Sequence, residues 1–396
     1  MKKTYIAILL FFINSLVLFS QPFSVEIEQV LMPNAPKLHS FAFAQSGGKW
    51  FFIGGRFNGL HGFTFGFSFQ PKYQNRYAWV VDPATGQTWS VNIYSSLSIA
   101  KADPLRSMNT QYYQEGDKLY ITGGYGLDSL KDSLVTFPKL SVIDVSAAIQ
   151  AVINNTSLNP HIRQITDERF RVCGAGMEKL GEYTYIPGGH NFWGEYTRTI
   201  NNQIYTNTLK KFRISDNGVN IAVSDYSEVY DTNAFHRRDY NLVHSVKPDG
   251  SHGMTLYGGV FKTYIDLPYL EPVYIDQSGY TIDNSFQQKM TQYTSSNFLM
   301  FDSTTGKMHT TFVLPATIGA TIPPSLWPRS PIAIGFTYSF VFSSSTALTT
   351  SPAKSMVVDS FTFFPLEPPT PLSSYLNTAI SLFARCSAMI LNILNP

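Results

Sequence analysis

The sequence predicts an all-β protein built from repeated four-stranded units, and three observations lead there. An apolar strand running into two glycines occurs four times: Lys49-Trp50-Phe51-Phe52-Ile53-Gly54-Gly55, Lys118-Leu119-Tyr120-Ile121-Thr122-Gly123-Gly124, Glu182-Tyr183-Thr184-Tyr185-Ile186-Pro187-Gly188-Gly189 and Met254-Thr255-Leu256-Tyr257-Gly258-Gly259. The glycine pairs fall 69, 65 and 70 residues apart, and recurrence at near-constant spacing marks a repeat architecture. Each phrase is a continuous apolar and aromatic run, the pattern of a strand buried on both faces. The closing glycines permit a backbone approach that no side chain would tolerate.

The flanks fit the same unit. Ser40-Phe41-Ala42-Phe43-Ala44-Gln45 and Thr110-Gln111-Tyr112-Tyr113-Gln114 read as preceding strands, joined to the phrase by Ser46-Gly47-Gly48 and Glu115-Gly116-Asp117. Glycine in such turns supplies positive φ. After a loop of variable length, Tyr77-Ala78-Trp79-Val80-Val81 enters the turn Asp82-Pro83-Ala84-Thr85-Gly86 and leaves through Gln87-Thr88-Trp89-Ser90-Val91. Four short antiparallel strands per unit, closed into a ring, are how a propeller hides its sheet edges.

This pattern resembles the Kelch repeat over roughly residues 39–313, with the apolar strand, the Gly-Gly and a later Trp or Tyr. The strings Pro36-Lys37-Leu38-His39-Ser40-Phe41-Ala42, Gly54-Gly55-Arg56-Phe57-Asn58-Gly59-Leu60-His61, His236-Arg237-Arg238-Asp239-Tyr240-Asn241 and Met308-His309-Thr310 look like those of secreted bacterial Kelch-domain proteins, often exported by the type IX route. The resemblance implies a Kelch-type β-propeller with five or six blades in the intact family and four complete units here. It implies an exported compartment and no particular reaction.

Composition is consistent with one large β domain. Apolar residues make 44% of 396 and aromatics 15%, while charged residues make only 14%. A net charge of +2 without a basic run gives no electrostatic case for nucleic acid. Residues 1–20 read as a signal peptide, with basic Lys2-Lys3, an apolar run from Ile6 to Phe19 and small Ser20. The run is short for a spanning helix, so no membrane span is expected in the mature propeller, which is secreted or held at the cell surface. With only Cys173 and Cys386 present, a disulfide framework is not expected.

The expected organisation is 1–20 signal peptide, 21–313 propeller and 314–396 an atypical tail. Ser24-Val25-Glu26-Ile27-Glu28 alternates like a strand with one solvated face and is expected to close the ring against the last blade. Ser146 to Asn155 has helical spacing, with Ser146 as cap and a place on the rim. The third unit spans Arg169 to about Tyr230, with outer strands from Leu209 to Ile214 and Asn220 to Val223. The fourth begins near Asp239 and carries the hairpin Val273–Ile282. A fifth starts at Asn297-Phe298-Leu299-Met300-Phe301 and Lys307–Val313, but no Gly-Gly follows. From Leu314 to Pro396 the charged residues are Arg329, Lys354, Asp359, Glu367 and Arg385 alone. That abrupt departure favours a reading-frame change near Phe312 over a divergent or membrane-adjacent tail.

In Kelch propellers the residues after Gly-Gly lie in loops at one mouth of the ring, and function on a rigid scaffold concentrates in such loops. Here they are Arg56, Asn58 and His61, then Tyr125, then His190, Asn191, Trp193 and Glu195, then Val260. A guanidinium offers forked hydrogen bonds and aromatics offer stacking, so the mouth suits an acidic or sugar ligand. For each residue singly, rim packing or a structural hydrogen bond is the slightly stronger reading. His236-Arg237-Arg238-Asp239 is the densest polar cluster, and an anion site and an inter-blade ion network weigh equally there.

No HExxH or CxxC spacing occurs, so no metal or cofactor is expected. The resulting expectation is a binding module for a carbohydrate or protein ligand. The rival is a sugar-active enzyme on the same scaffold, a hydrolase or isomerase using Glu195 and an Arg, or a galactose oxidase-like copper enzyme using Cys173. A purely structural envelope protein ranks third.

Overall fold

The computed structural model describes residues 26–29, 32–58, 61–197, 202–247, 250–265, 267–288, 294, 296–302 and 307–313, with 344–345, 356–357 and 389–392. Among them stand four four-stranded antiparallel sheets, each a meander of successive strands. The first holds His39–Ser46, Lys49–Arg56, Tyr77–Val81 and Thr88–Asn92, and the second Gln111–Glu115, Lys118–Thr122, Lys139–Asp144 and Ile162–Thr166. The third holds Glu178–Leu180, Tyr183–Pro187, Thr208–Asp216 and Ile221–Tyr230, and the fourth Asn241–Val246, His252–Tyr257, Val273–Asp276 and Gly279–Ile282. Every Gly-Gly phrase is the second strand of its sheet, hydrogen-bonded along both edges.

The two-sided burial read from these strands is met by stacking sheet on sheet. In the first, Phe51 and Ile53 face a core shared with Leu119, Ile121 and Ile143 of the second. The alternate residues Trp50 and Phe52 face Met32 and Ala35 on the other side. Tyr120 and Val142 then meet Ile186 and Phe212 of the third sheet. Tyr185 and Leu209 in turn meet Met254 and Val273 of the fourth. Full burial of one such side chain is worth roughly 1.5–3 kcal/mol, so each interface holds its pair of sheets firmly.

Between neighbouring sheets the glycine pairs provide a second connection. Gly55 N–H donates to Ser107 O at 2.9 Å, Gly124 N–H to Val172 O at 3.0 Å and Gly189 N–H to Arg237 O at 2.9 Å. The preceding glycine packs against the same carbonyl: a Cβ on Gly123, at φ +62°, would lie 1.9 Å from Val172 O. Nearby runs a ladder of residues that all adopt positive φ: Ser40, Asn109, Gly174 and Asp239. Asn109 N–H donates to Ser40 O at 3.2 Å, Gly174 N–H to Asn109 O at 3.0 Å and Asp239 N–H to Gly174 O at 2.8 Å. One hydrogen bond thus steps from each unit to the next.

Charge adds a tie between the second and third sheets. Arg163 forks onto Asp144 and Asp216, while Lys118 reaches Asp216 at 2.6 Å. Burial alone would raise the Asp216 carboxyl, but hydrogen bonds from Arg163 and Lys118 bring it down to about 2.

Several elements differ from expectation. The helix spans Val145–Ile153, and Asp117 on the second sheet's hairpin turn accepts from Ser146 N and Oγ. Its Val145, Ala148, Ile149 and Val152 enter the core between the first two sheets rather than resting on a rim. The outer strands of the third sheet run longer than their apolar runs suggested, to Asp216 and Tyr230. Glu26–Gln29 pairs with Met389–Asn392, apart from the four-stranded sheets. Ser296–Asp302 pairs with Lys307–Val313 as expected for a fifth unit, and Ser344–Ser345 adds a third strand. The signal segment 1–20 and most of 314–396 lie outside the described residues. No helix among the described residues is long and apolar enough to cross a membrane.

The glycine contact makes a sharp prediction. Gly123→Ala should cost about 2–4 kcal/mol, since it combines positive φ with a collision against backbone. Gly116→Ala, at φ +56° with open space around its Cβ, should cost only about 1 kcal/mol. Urea unfolding of both variants checks this, and equal costs would discredit the inter-sheet role of Gly123.

Candidate functional site

The loops that follow the four glycine pairs leave from one end of their sheets, each joining the second strand to the third. Two of them fold into hairpins, Tyr125–Asp128 with Ser133–Thr136 and His190–Phe192 with Gln203–Tyr205. They interlock. Glu195 Oε2 accepts from Gly66 N at 2.6 Å, Ser68 Oγ accepts from Tyr196 N at 3.1 Å, and Tyr125 Oη donates to Gly194 O at 2.5 Å.

Beneath these contacts lies a circuit of five rings drawn from three units. His61 stacks on Phe69 at 4.1 Å, Phe69 meets Tyr125 at 5.3 Å, Tyr125 meets Phe192 at 4.9 Å, Phe192 meets Tyr196 at 5.6 Å, and Tyr196 returns to His61 at 5.0 Å. Aromatic pairs at such separations contribute about 0.5–1.5 kcal/mol each beyond their burial. From Phe192 the contacts continue through His190 and Tyr205 to His236, the last two stacked at 4.0 Å. Arg56 lies 5.0 Å over Phe69, and Arg238 lies 5.7 Å over Tyr196 and 4.8 Å over Phe261.

The fold therefore brings Arg56, His61, Tyr125, His190, His236 and Arg238 into one cluster. It buries several of them instead of presenting them at an open mouth: Arg56 is 1% exposed, His190 2% and Tyr125 3%. The reason is local. Tyr125, His190 and Val260 bond back to Met108, Cys173 and Arg238, which precede the first strands of their own sheets, and Arg56 pairs with His39 and Gln74, so each is drawn inward. Asn58 accepts from Arg56 Nε at 2.7 Å. Asn191 pairs through its backbone with Ile204, and Trp193 stays 39% exposed.

Arg237 stands apart from this group. It is fully buried, donates through Nη1 to Gly258 O at 3.0 Å and Glu271 O at 3.3 Å, and sits 3.9 Å over Tyr269. Asp239 faces Arg238 at 3.7 Å. Arg238 thus has a carboxylate and Arg237 has carbonyls.

Electrostatics follow from burial. Burial brings His61 down to about 4, opposed by its bond to Gly62 O and aided by Arg56 and Arg238. His190 is held well below the usual imidazole range by burial and then by Arg238. Cys173 is enclosed, and burial pushes its thiol up to about 12, with a hydrogen bond from Thr136 acting the other way. A protonated, enclosed thiol is the opposite of an activated one. Among the described residues, no group of three His, Cys, Asp or Glu is placed to hold a metal ion.

Phe69, Phe192, Tyr196 and Tyr205 are absent from the residues singled out by sequence. The density of aromatic residues in the two loops, such as Phe57, Phe63, Phe65, Phe67 and Phe69, is the signal that marks them. The class this geometry defines is a mostly β chain of stacked four-stranded antiparallel sheets with an aromatic and guanidinium cluster at one end. No family model matches the chain, and no match is found among curated proteins.

His61 gives the pH prediction. Between pH 6.5 and about 4 the unfolded chain binds a proton at this imidazole that the folded chain does not, so stability falls as pH falls through that window. His61→Phe should flatten the acid limb of the stability profile there. An NMR titration placing the His61 midpoint at 6 or above would refute the assignment.

Proposed function

We propose that the chain is an exported Kelch-type β-propeller that acts as a binding module, taking a carbohydrate or protein ligand on the face formed by the loops after the glycine pairs. The observation that carries this reading is where the apolar surface lies. Of the fifteen large hydrophobic side chains exposed among the described residues, nine belong to these loops. Phe65 is 81% exposed, Phe67 68%, Leu130 65% and Ile204 61%, and Trp193 and Tyr264 join them. Apolar side chains gathered at one end of a chain mark an interaction surface, whereas scattered ones need no explanation. The interlocked hydrogen bonds below keep the surface preorganised, which reduces the ordering cost of binding.

The residues of the rival enzyme reading are engaged otherwise. Glu195 spends an oxygen on Gly66 N–H, and Cys173 is buried with its thiol protonated. Export is supported by the residue pattern of 1–20. The propeller is supported by four meander sheets packed face to face, each on the next.

A screen of the mature protein over immobilised glycans and candidate surface proteins, repeated with Phe65→Ser/Phe67→Ser and Trp193→Ala, tests the reading. Ligand binding should weaken at least about tenfold while the unfolding free energy stays within about 0.5 kcal/mol, as for other exposed positions. Unaltered binding by both variants would refute the assignment of this face.

A further inference from the structure

We infer that Arg56 is the anchor of an internal anion site that takes the carboxylate of a small acidic molecule, a proposal that rests on the loop end being the ligand face. Arg56 is 1% exposed, yet only its Nε finds a protein acceptor, Asn58 Oδ1. Both terminal nitrogens, Nη1 and Nη2, are buried without one. Beside it Gln74, paired to Arg56 through the backbone and 2% exposed, likewise has its Nε2 buried and unpartnered. All three nitrogens are donors only, and no protein acceptor answers any of them. A buried guanidinium without a counter-charge is costly, and its planar fork matches a carboxylate through two parallel hydrogen bonds.

Nearby acids are committed to other groups. The Glu195 carboxylate holds Gly66 N–H, and Asp239 faces Arg238. Among the described residues no carboxylate forms an ion pair with Arg56. His61 and Tyr125, which join Phe69 in the ring circuit, stand close to the guanidinium and bring no negative charge. Enclosure at this depth selects a small molecule over a folded partner. The other arginine of the cluster serves as internal contrast: Arg238 has the Asp239 carboxylate facing it at 3.7 Å.

The test is a thermal-shift and calorimetric titration of the mature protein with acetate, glucuronate and, as the neutral control, glucose. Acetate or glucuronate should raise the melting temperature in a saturable way where glucose does not. The acetate and glucuronate arms tell whether the site takes a bare carboxylate or one carried on a sugar. Arg56→Lys, which keeps the charge and loses the fork, should weaken that binding at least about tenfold. If this variant fails to fold, the wild-type contrast between acid and neutral sugar still decides. Absence of any carboxylate-dependent shift in the wild type would overturn the anion site while leaving the rim-variant binding result intact. Wild-type affinity retained in Arg56→Lys would overturn it as well.

Discussion

A backbone carbonyl seated against a glycine is the contact on which the rest of this structure depends. Ser107 O, Val172 O and Arg237 O each close against a glycine pair on the preceding sheet and accept an N–H from it. Hydrophobic burial supplies most of the stabilisation between sheets, but it is non-directional. The carbonyl contact fixes how closely and in what register one sheet meets the next. Beside it the left-handed residues Ser40, Asn109, Gly174 and Asp239 pass a hydrogen bond from unit to unit. Because the residue following each glycine pair bonds back to the segment next to that ladder, the same device that joins the sheets also aims the loops.

That coupling explains the character of the site. Side chains set immediately after the glycines are drawn toward the interior, where Arg56, Tyr125 and His190 become part of a packed cluster of rings and guanidinium groups. Residues farther along each loop, among them Phe65, Phe67 and Trp193, are left to form the outer surface. Burial then decides charge: it lowers the pKa of all three cluster histidines, His61, His190 and His236, while Arg238 keeps its carboxylate partner.

Much of the fold was legible in the sequence because its signals are local. The four phrases located the second strands, and the hairpin Val273–Ile282 was read with its turn because Gln277-Ser278-Gly279 sits between two short apolar runs. The hairpins Tyr125–Thr136 and His190–Tyr205 were not read, since strands of three or four residues carry too little periodicity to stand out. The ladder was illegible for another reason. Its four positions share a backbone conformation and no residue type, being Ser, Asn, Gly and Asp. For the site, sequence named the loops and half the cluster, while the depth of Arg56 and the separation of Arg237 from Arg238 depend on which way adjacent residues face across a sheet edge.

Amide hydrogen exchange tests the central claim most directly. If the carbonyl contacts and the ladder organise the array, the N–H groups of Gly55, Gly124, Gly189, Asn109, Gly174 and Asp239 should exchange only through global opening, as slowly as the core amides of Phe51, Tyr120 and Tyr185. Exchange of these six amides at the rate of an exposed turn such as Gly116 would contradict it.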